Sequence, residues 1–466
     1  QDWTIEVIDI TAAFLEGNMD IKTFIEIPDG MEQLGYVTKQ DMNEKVILLM
    51  KSMYGNVDAA LRFFKTYKEH MIKNGMAQSQ TDPCVFTLKE NGKTKMIAIC
   101  FVDDTLLIGN KNKIEWFKSK IGEQFKYTNE GPLKKHLGIK YTLLKDEEGE
   151  EYYEARMDSL VDKIIKNYED HIGGQAKEKY TPGTPGHNLV KNEGEAVSHT
   201  KYRQIVGRIM YLVTKIFPEG ANAARELTRH FSNPSEEHWK ELAQFIGYLK
   251  SMKKEIKLTY RKPKELRAIS MVDSNYATNK ENRKSVSGGI HTIGGTIVNW
   301  VSKTQTSVTL SSTEAEYVSL SMGAQEVKFM QMLIEEITGE KHPAVILEDN
   351  TGAIFLVRNQ QVSQRTKHID IRYHFIRELV EREELDIAFV KSMDNESDIM
   401  TKNVTEKLQE YHGTKIREGL MYPYVKYENI IDEVLERMKK NLDMDKREDV
   451  GMWLDVLDNG CASAND

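Results

Sequence analysis

Cysteine is scarce in this chain. There are three in 466 residues, Cys84, Cys100 and Cys461. They are odd in number and lack metal-ligand spacing, which argues against a disulfide framework or a zinc site and for a reducing, intracellular compartment. No run approaches the roughly 20 apolar residues of a membrane span, and no charged–apolar–small pattern opens the chain, so neither an anchor nor a signal peptide is expected. Basic charge is also short: 64 Lys and Arg against 72 Asp and Glu leave a net charge of −8, which weighs against a nucleic-acid partner. That deficit is local. From Glu428 to Asp466 eleven acidic residues meet five basic ones, a net of −6, leaving −2 for everything before. A near-neutral body can still carry a basic groove, so nucleic acid is not excluded. There is no P-loop-type glycine-rich segment and no Ser–His–Asp or Cys–His arrangement. The chain opens on Gln1 and runs straight into a strand-like stretch, which reads as a piece of something longer.

What is there centres on Met96 to Gly109, an apolar run that reaches Asp103-Asp104 and leaves as a second apolar run. With Asn91-Gly92 before it and Gly109-Asn110 after it, this reads as two buried strands joined by a tight turn. Two adjacent carboxylates at such a tip repel each other and lose hydration, so a cation such as Mg²⁺ is expected against them; a solvated Asp-Asp turn is the alternative. Ile5 to Asp9 is a second strand delivering a carboxylate to a rim. Ala59, Ala60, Phe63, Phe64, Tyr67 and Met71 have helical spacing, as does the stretch from Ile114 to Phe125. This order of elements predicts an α+β sheet domain with helices on one face.

Tyr180 to Thr200 is Pro/Gly/polar and reads as the best linker. Tyr202 to Met252 is helical in pattern, and Lys262-Pro263-Lys264 separates it from a second α/β domain. There, Ala268 to Asp273 and Val345 to Asp349 are strands ending in Asp, and Ile290 to Trp300 is a hairpin around Gly294-Gly295. Ser311 with Glu314 is a capping box opening a helix with Tyr317, Leu320, Ala324 and Val327 on its inner side. Asp398 opens a last short helix. Asp9, Asp103 and Asp104 in one domain, and Asp273, Glu316, Asp349 and Asp398 in the other, are two candidate metal-dependent phosphoryl-transfer sites. Structural ion pairs are the competing explanation.

Ile8-Asp9-Ile10-Thr11-Ala12-Ala13-Phe14-Leu15-Glu16-Gly17, Lys51-Ser52-Met53-Tyr54-Gly55 and Phe101-Val102-Asp103-Asp104 resemble the reverse transcriptase of copia-type LTR retrotransposons. Gly131-Pro132-Leu133 through Leu137-Gly138-Ile139, and Tyr202-Arg203 through Tyr211-Leu212, fit the same pattern. Arg283-Lys284-Ser285, Trp300-Val301-Ser302-Lys303, Ser311 to Tyr317, Asp349-Asn350, Thr366 to Asp370, His374-Phe375 and Asp398 to Lys402 resemble that family's RNase H domain. The match runs in family order from about Ile5 to about Leu420.

The resemblance implies an α/β and α+β multidomain chain. Residues 1–145 would be a polymerase palm with an antiparallel sheet and its fingers largely missing. Residues 146–262 would be a thumb or connection, mainly helical after 200. Residues 266–405 would be an RNase H-like mixed-sheet domain, and 406–466 a C-terminal extension with an acidic helix around Ile430 to Met438. It further implies that Asp9, Asp103 and Asp104 bind the polymerase metals and that Phe14 packs under the incoming sugar. Asp273, Glu316, Asp349 and Asp398 would carry two-metal hydrolysis of RNA in an RNA–DNA hybrid, with Glu314 as the capping decoy. The implied cofactor is Mg²⁺, two ions per site, with Mn²⁺ as the substitute. The implied partners are RNA template, DNA primer, hybrid, dNTPs and the integrase and protease of a parent Pol polyprotein, in a cytoplasmic particle or the nucleus. Departures are Asp58 where the family has Gln, and the Lys215 to Gly220 stretch. His368 and His374 match family positions, with packing as one role and catalysis as the other. The rival readings are a truncated remnant with RNase H activity alone, and a protein that only binds nucleic acid.

Overall fold

The computed structural model describes residues 3–263, 266–342, 344–358 and 370–419, with the backbone alone for 370–374. The Thr366–Ile369 motif with His368, the His374 side chain and the acidic helix of the tail lie outside the described residues. Contacts divide the chain into two units: residues up to Leu137 with Glu335–Glu340, and Gly138–Ile334 with the chain from Lys341 on.

In the first unit the apolar runs form an antiparallel sheet ordered Ala77–Gln78, Val85–Glu90, Lys93–Phe101, Asp104–Asn110, Trp3–Ile10 and Tyr127–Pro132. The helices Ala59–Lys73 and Lys111–Gly122 cover one face, as their spacing predicts. Phe63, Tyr67, Met71, Ile114, Phe117 and Ile121 are buried with Ile8, Met96 and Cys100 of the sheet. Glu6, a polar residue of an alternating strand, is buried too and pairs with Lys118 of the second helix. The remaining pair, Asn18–Glu26 and Val46–Lys51, is a separate antiparallel ribbon.

The second unit is built on a five-stranded mixed sheet ordered Thr296–Thr304, Val286–Ile293, Ala268–Asn275, Ala344–Glu348 and Leu385–Phe389. The first three strands are antiparallel and the last two join in parallel. Its central strands are apolar on both sides because both faces are covered. Ala268 and Val272 pack with Tyr317, Leu320, Ala324 and Val327 of the long helix Ser312–Thr338. Ile269 and Met271 pack into a second core with the helices His199–Lys215, Ala221–Thr228 and Glu236–Met252. The helical stretch and the mixed sheet therefore share one core.

Two glycine positions matter to this architecture. Gly294 and Gly295, with φ of 55° and 86°, make the two-residue turn between Val286–Ile293 and Thr296–Thr304. Gly323 lets the long helix lie close to the sheet: a Cβ there would stand 2.7 Å from Val272 Cγ1.

The Tyr180–Thr200 segment is not a free linker. Side chains of the Glu236–Met252 helix strap it down: Gln244 donates to the Thr181 carbonyl at 2.9 Å and Trp239 Nε1 to the Val197 carbonyl at 2.8 Å. Glu241 accepts from the Thr184 amide at 3.1 Å.

Candidate active sites

In the first unit, the Lys93–Phe101 and Asp104–Asn110 strands are joined through Val102-Asp103. Asp9 stands opposite Asp104 in the register of neighbouring strands. The Ile10 amide donates to the Asp103 carbonyl at 2.8 Å, tying the turn to the strand that carries Asp9. Val102 has φ of 56°, a left-handed conformation that β-branched residues rarely adopt. Burial, then the charges of Asp103, Asp104 and Glu130, push the Asp9 carboxyl above its usual range. Asp104 is raised by burial and by Asp103 and Glu130, with His136 pulling the other way. The three carboxylates thus share one rim and feel one another. They are not among the described groups whose ligand oxygens all lie within 4.8 Å of one another.

Phe14 is half-buried in the single turn Ala13–Glu16 and meets the Tyr54 ring edge-on at 5.1 Å. Asp58, at the start of the Ala59–Lys73 helix, accepts from Arg62 Nε at 2.8 Å, and Arg62 also pairs with Asp20. That hydrogen bond holds the Asp58 carboxyl below its usual range. Its charge is committed within its own helix.

In the second unit, Asp273 lies on the central strand, Asp349 follows the Ala344–Glu348 strand, and Asp398 opens the helix Asp398–Thr401. These three form one group with carboxylate oxygens within 4.8 Å of one another. A second group of the same tightness joins Glu316 of the long helix, Glu348 and Asp349. Asn395 fixes the loop before Asp398 by donating to the Val272 carbonyl at 2.9 Å, while the Thr401 hydroxyl donates to Asp273. Lys402 Nζ is 3.0 Å from Asp398 Oδ1.

Burial dominates the electrostatics here. It raises Asp273, with Asp398 adding; it takes Asp349 to about 6, with Asp273 adding. It also lifts Glu316 and Glu348 well above the usual carboxylate range, aided by their acidic neighbours. Buried oxygens of Glu316 and Glu348 have no hydrogen-bond partner, which calls for an explanation. An all-carboxylate donor set with unpartnered oxygens fits a hard divalent cation.

All four carboxylates expected here therefore converge. Glu314 does the capping assigned to it: its amide donates to Ser311 Oγ at 3.1 Å, and its carboxylate accepts from the Leu310 amide at 2.7 Å. Sequence reasoning passed over Glu348 and Lys402. The signal for the first was a charged residue closing an apolar strand, and for the second a cation four residues after Asp398.

A family model described as reverse transcriptase (RNA-dependent DNA polymerase) matches residues 1–182. The retrovirus-related Pol polyprotein from transposon TNT 1-94 of Nicotiana tabacum is 29% identical over 411 residues, covering 86% of this chain and 30% of that protein. The corresponding polyprotein from transposon RE2 of Arabidopsis thaliana is 27% identical over 419 residues, covering 89% and 28%. The transposon Ty1-BL Gag-Pol polyprotein of Saccharomyces cerevisiae is 24% identical over 424 residues, covering 86% and 23%. The chain spans less than a third of the length of these relatives. The solved LC11-RNase H1 isolated from compost aligns with 29% of this chain and 93% of its own at 13% identity and a TM-score of 0.24, a likeness too slight to reason from. By the family match and these relatives, the chain resembles the Pol polyproteins of copia-type retrotransposons, and residues 1–182 are its reverse transcriptase region.

Proposed function

We propose that this chain copies RNA into DNA at the Asp9, Asp103 and Asp104 rim and cleaves the RNA strand of an RNA–DNA hybrid at Asp273, Glu316, Asp349 and Asp398. Mg²⁺ is the cofactor at both sites, two ions each. In this reading the first unit is the palm, the helices from His199 to Met252 are the thumb or connection, and the mixed sheet is the RNase H-like domain. The observation that carries the hydrolytic half is the convergence of two buried carboxylate groups on Asp349. Bound there, the cations supply charge stabilisation for the phosphoryl group under attack. The chain's own part is to hold them. Thr401 orients Asp273, and Lys402 opposes the burial that raises the Asp398 carboxyl. Hybrid recognition rests on backbone charge and A-like shape. At the rim, Phe14 lies against the incoming sugar and disfavours a 2′-hydroxyl. The other Pol domains act with this segment in the parent polyprotein, in a reducing compartment of the cell.

A second reading, hydrolysis without polymerisation, is favoured by one observation: the tight carboxylate groups among the described residues all lie in the second unit. A labelled RNA–DNA hybrid with an annealed primer, Mg²⁺ and dNTPs separates the two when extension and RNA cleavage are followed together. Asp103→Asn is expected to abolish extension and Asp349→Asn to abolish cleavage, each leaving the other activity in place. Cleavage without any extension leaves the second reading. Neither activity, with hybrid still bound, leaves only nucleic-acid binding.

A further inference from the structure

Glu348 lies outside the motifs that carry the family resemblance, yet it stands in the carboxylate cluster. It closes the strand Ala344–Glu348 and is 0% exposed. Its Oε1 accepts from the Asn350 amide at 2.9 Å, while its buried Oε2 has no hydrogen-bond partner. The buried Oε2 of Glu316 has none either. A carboxylate oxygen of each lies within 4.8 Å of the other and of Asp349. A Glu retained for packing or capping would be expected to fill its lone pairs with donors. Here one orphaned acidic oxygen from each of the two residues belongs to one small group. A divalent cation satisfies all three side chains at once.

We propose that Glu348 joins Glu316 and Asp349 in holding a divalent cation at this cluster. The inference rests on reading the cluster as a cation-dependent nuclease site and adds a fifth carboxylate to it. The added negative charge strengthens cation binding before any nucleic acid arrives.

The test counts Mn²⁺ by electron paramagnetic resonance on the protein alone, in an Asp103→Asn, Asp104→Asn background so that the first unit contributes nothing. The parent protein is expected to bind Mn²⁺. Glu348→Gln is expected to lose one ion, or to bind it at least tenfold more weakly. Glu348→Asp should recover part of the loss. A Glu348→Gln protein that titrates like its parent overturns the inference and leaves the nuclease reading standing. A parent that binds no Mn²⁺ overturns both. Circular dichroism and melting curves report whether each variant folds; if Glu348→Gln does not, the Mn²⁺ titration of Glu348→Asp decides, and a titration like the parent's overturns the inference.

Discussion

Val102 is a branched side chain held at φ of 56°, at the turn that carries Asp103. Such a conformation costs about 1–2 kcal/mol, and strain of this kind collects at functional turns. Val102→Gly should therefore stabilise the chain by roughly 1 kcal/mol, read as a higher urea midpoint, because glycine takes this conformation freely. A lower midpoint would mean that Val102 is held there for its packing. The carboxylates of the second unit give a pH signature. Asp349 is raised to about 6 by burial, against about 3.9 in an unfolded chain. The folded chain keeps that proton after the unfolded chain has lost it, so stability of the cation-free protein falls as pH rises from about 4 to about 6. Melting in EDTA should accordingly be lower at pH 7.5 than at pH 5. Asp349→Asn should reduce the difference without removing it, since Asp273, Glu316 and Glu348 are raised in the same direction, and saturating Mg²⁺ should reverse it, since cation uptake expels protons. Much of this cluster was legible from strands that end in Asp and from the Ser311 to Tyr317 motif. Glu348 was not, since an acid at the end of an apolar strand declares neither its burial nor its neighbours. Asp58 needed structure too: its pairing with Arg62 depends on which helix face turns inward.

The long helix Ser312–Thr338 sets the position of Glu316 through its seat on the sheet, and at Gly323 the two lie too close for a side chain. Alanine there gains up to about 1 kcal/mol in helix propensity. Against that, its methyl would meet Val272 Cγ1 at 2.7 Å, and overpacking of this kind costs about 1–3 kcal/mol. The clash should win. Gly323→Ala is expected to lower stability by about 1 kcal/mol in urea titration, and to slow hybrid cleavage more than it weakens hybrid binding, because Glu316 is displaced with the helix. Leu320→Ala, at a fully buried position on the same helix, should cost about 2–5 kcal/mol. The long helix itself was readable from periodicity, including the inner side at Tyr317, Leu320, Ala324 and Val327. The Tyr180–Thr200 strap was not, because its composition is that of a linker and its anchors, Glu241, Gln244 and Trp239, come from another element.

Across the whole molecule the net charge of −8 leaves hybrid binding to local patches. A cleft of about 420 Å³ in the second unit is lined by Lys215, Arg225, Lys303, Tyr260 and Trp300, combining cations with aromatic faces. Lys303→Ala should weaken hybrid binding about equally for unrelated sequences and reduce the salt slope by about one, measured by fluorescence anisotropy over a range of KCl. An unchanged slope would remove this cleft from the hybrid's path. The core that runs from Ile139 to Ile416 through helices and mixed sheet alike carries a different consequence. A protease cut between Lys262 and Leu266 would not release two working parts. Each would bare the apolar surface that the other had covered, so the nicked halves should stay together as a non-covalent pair and migrate as one species. In the maturation of a polyprotein, such a cut would be chemically real and mechanically silent.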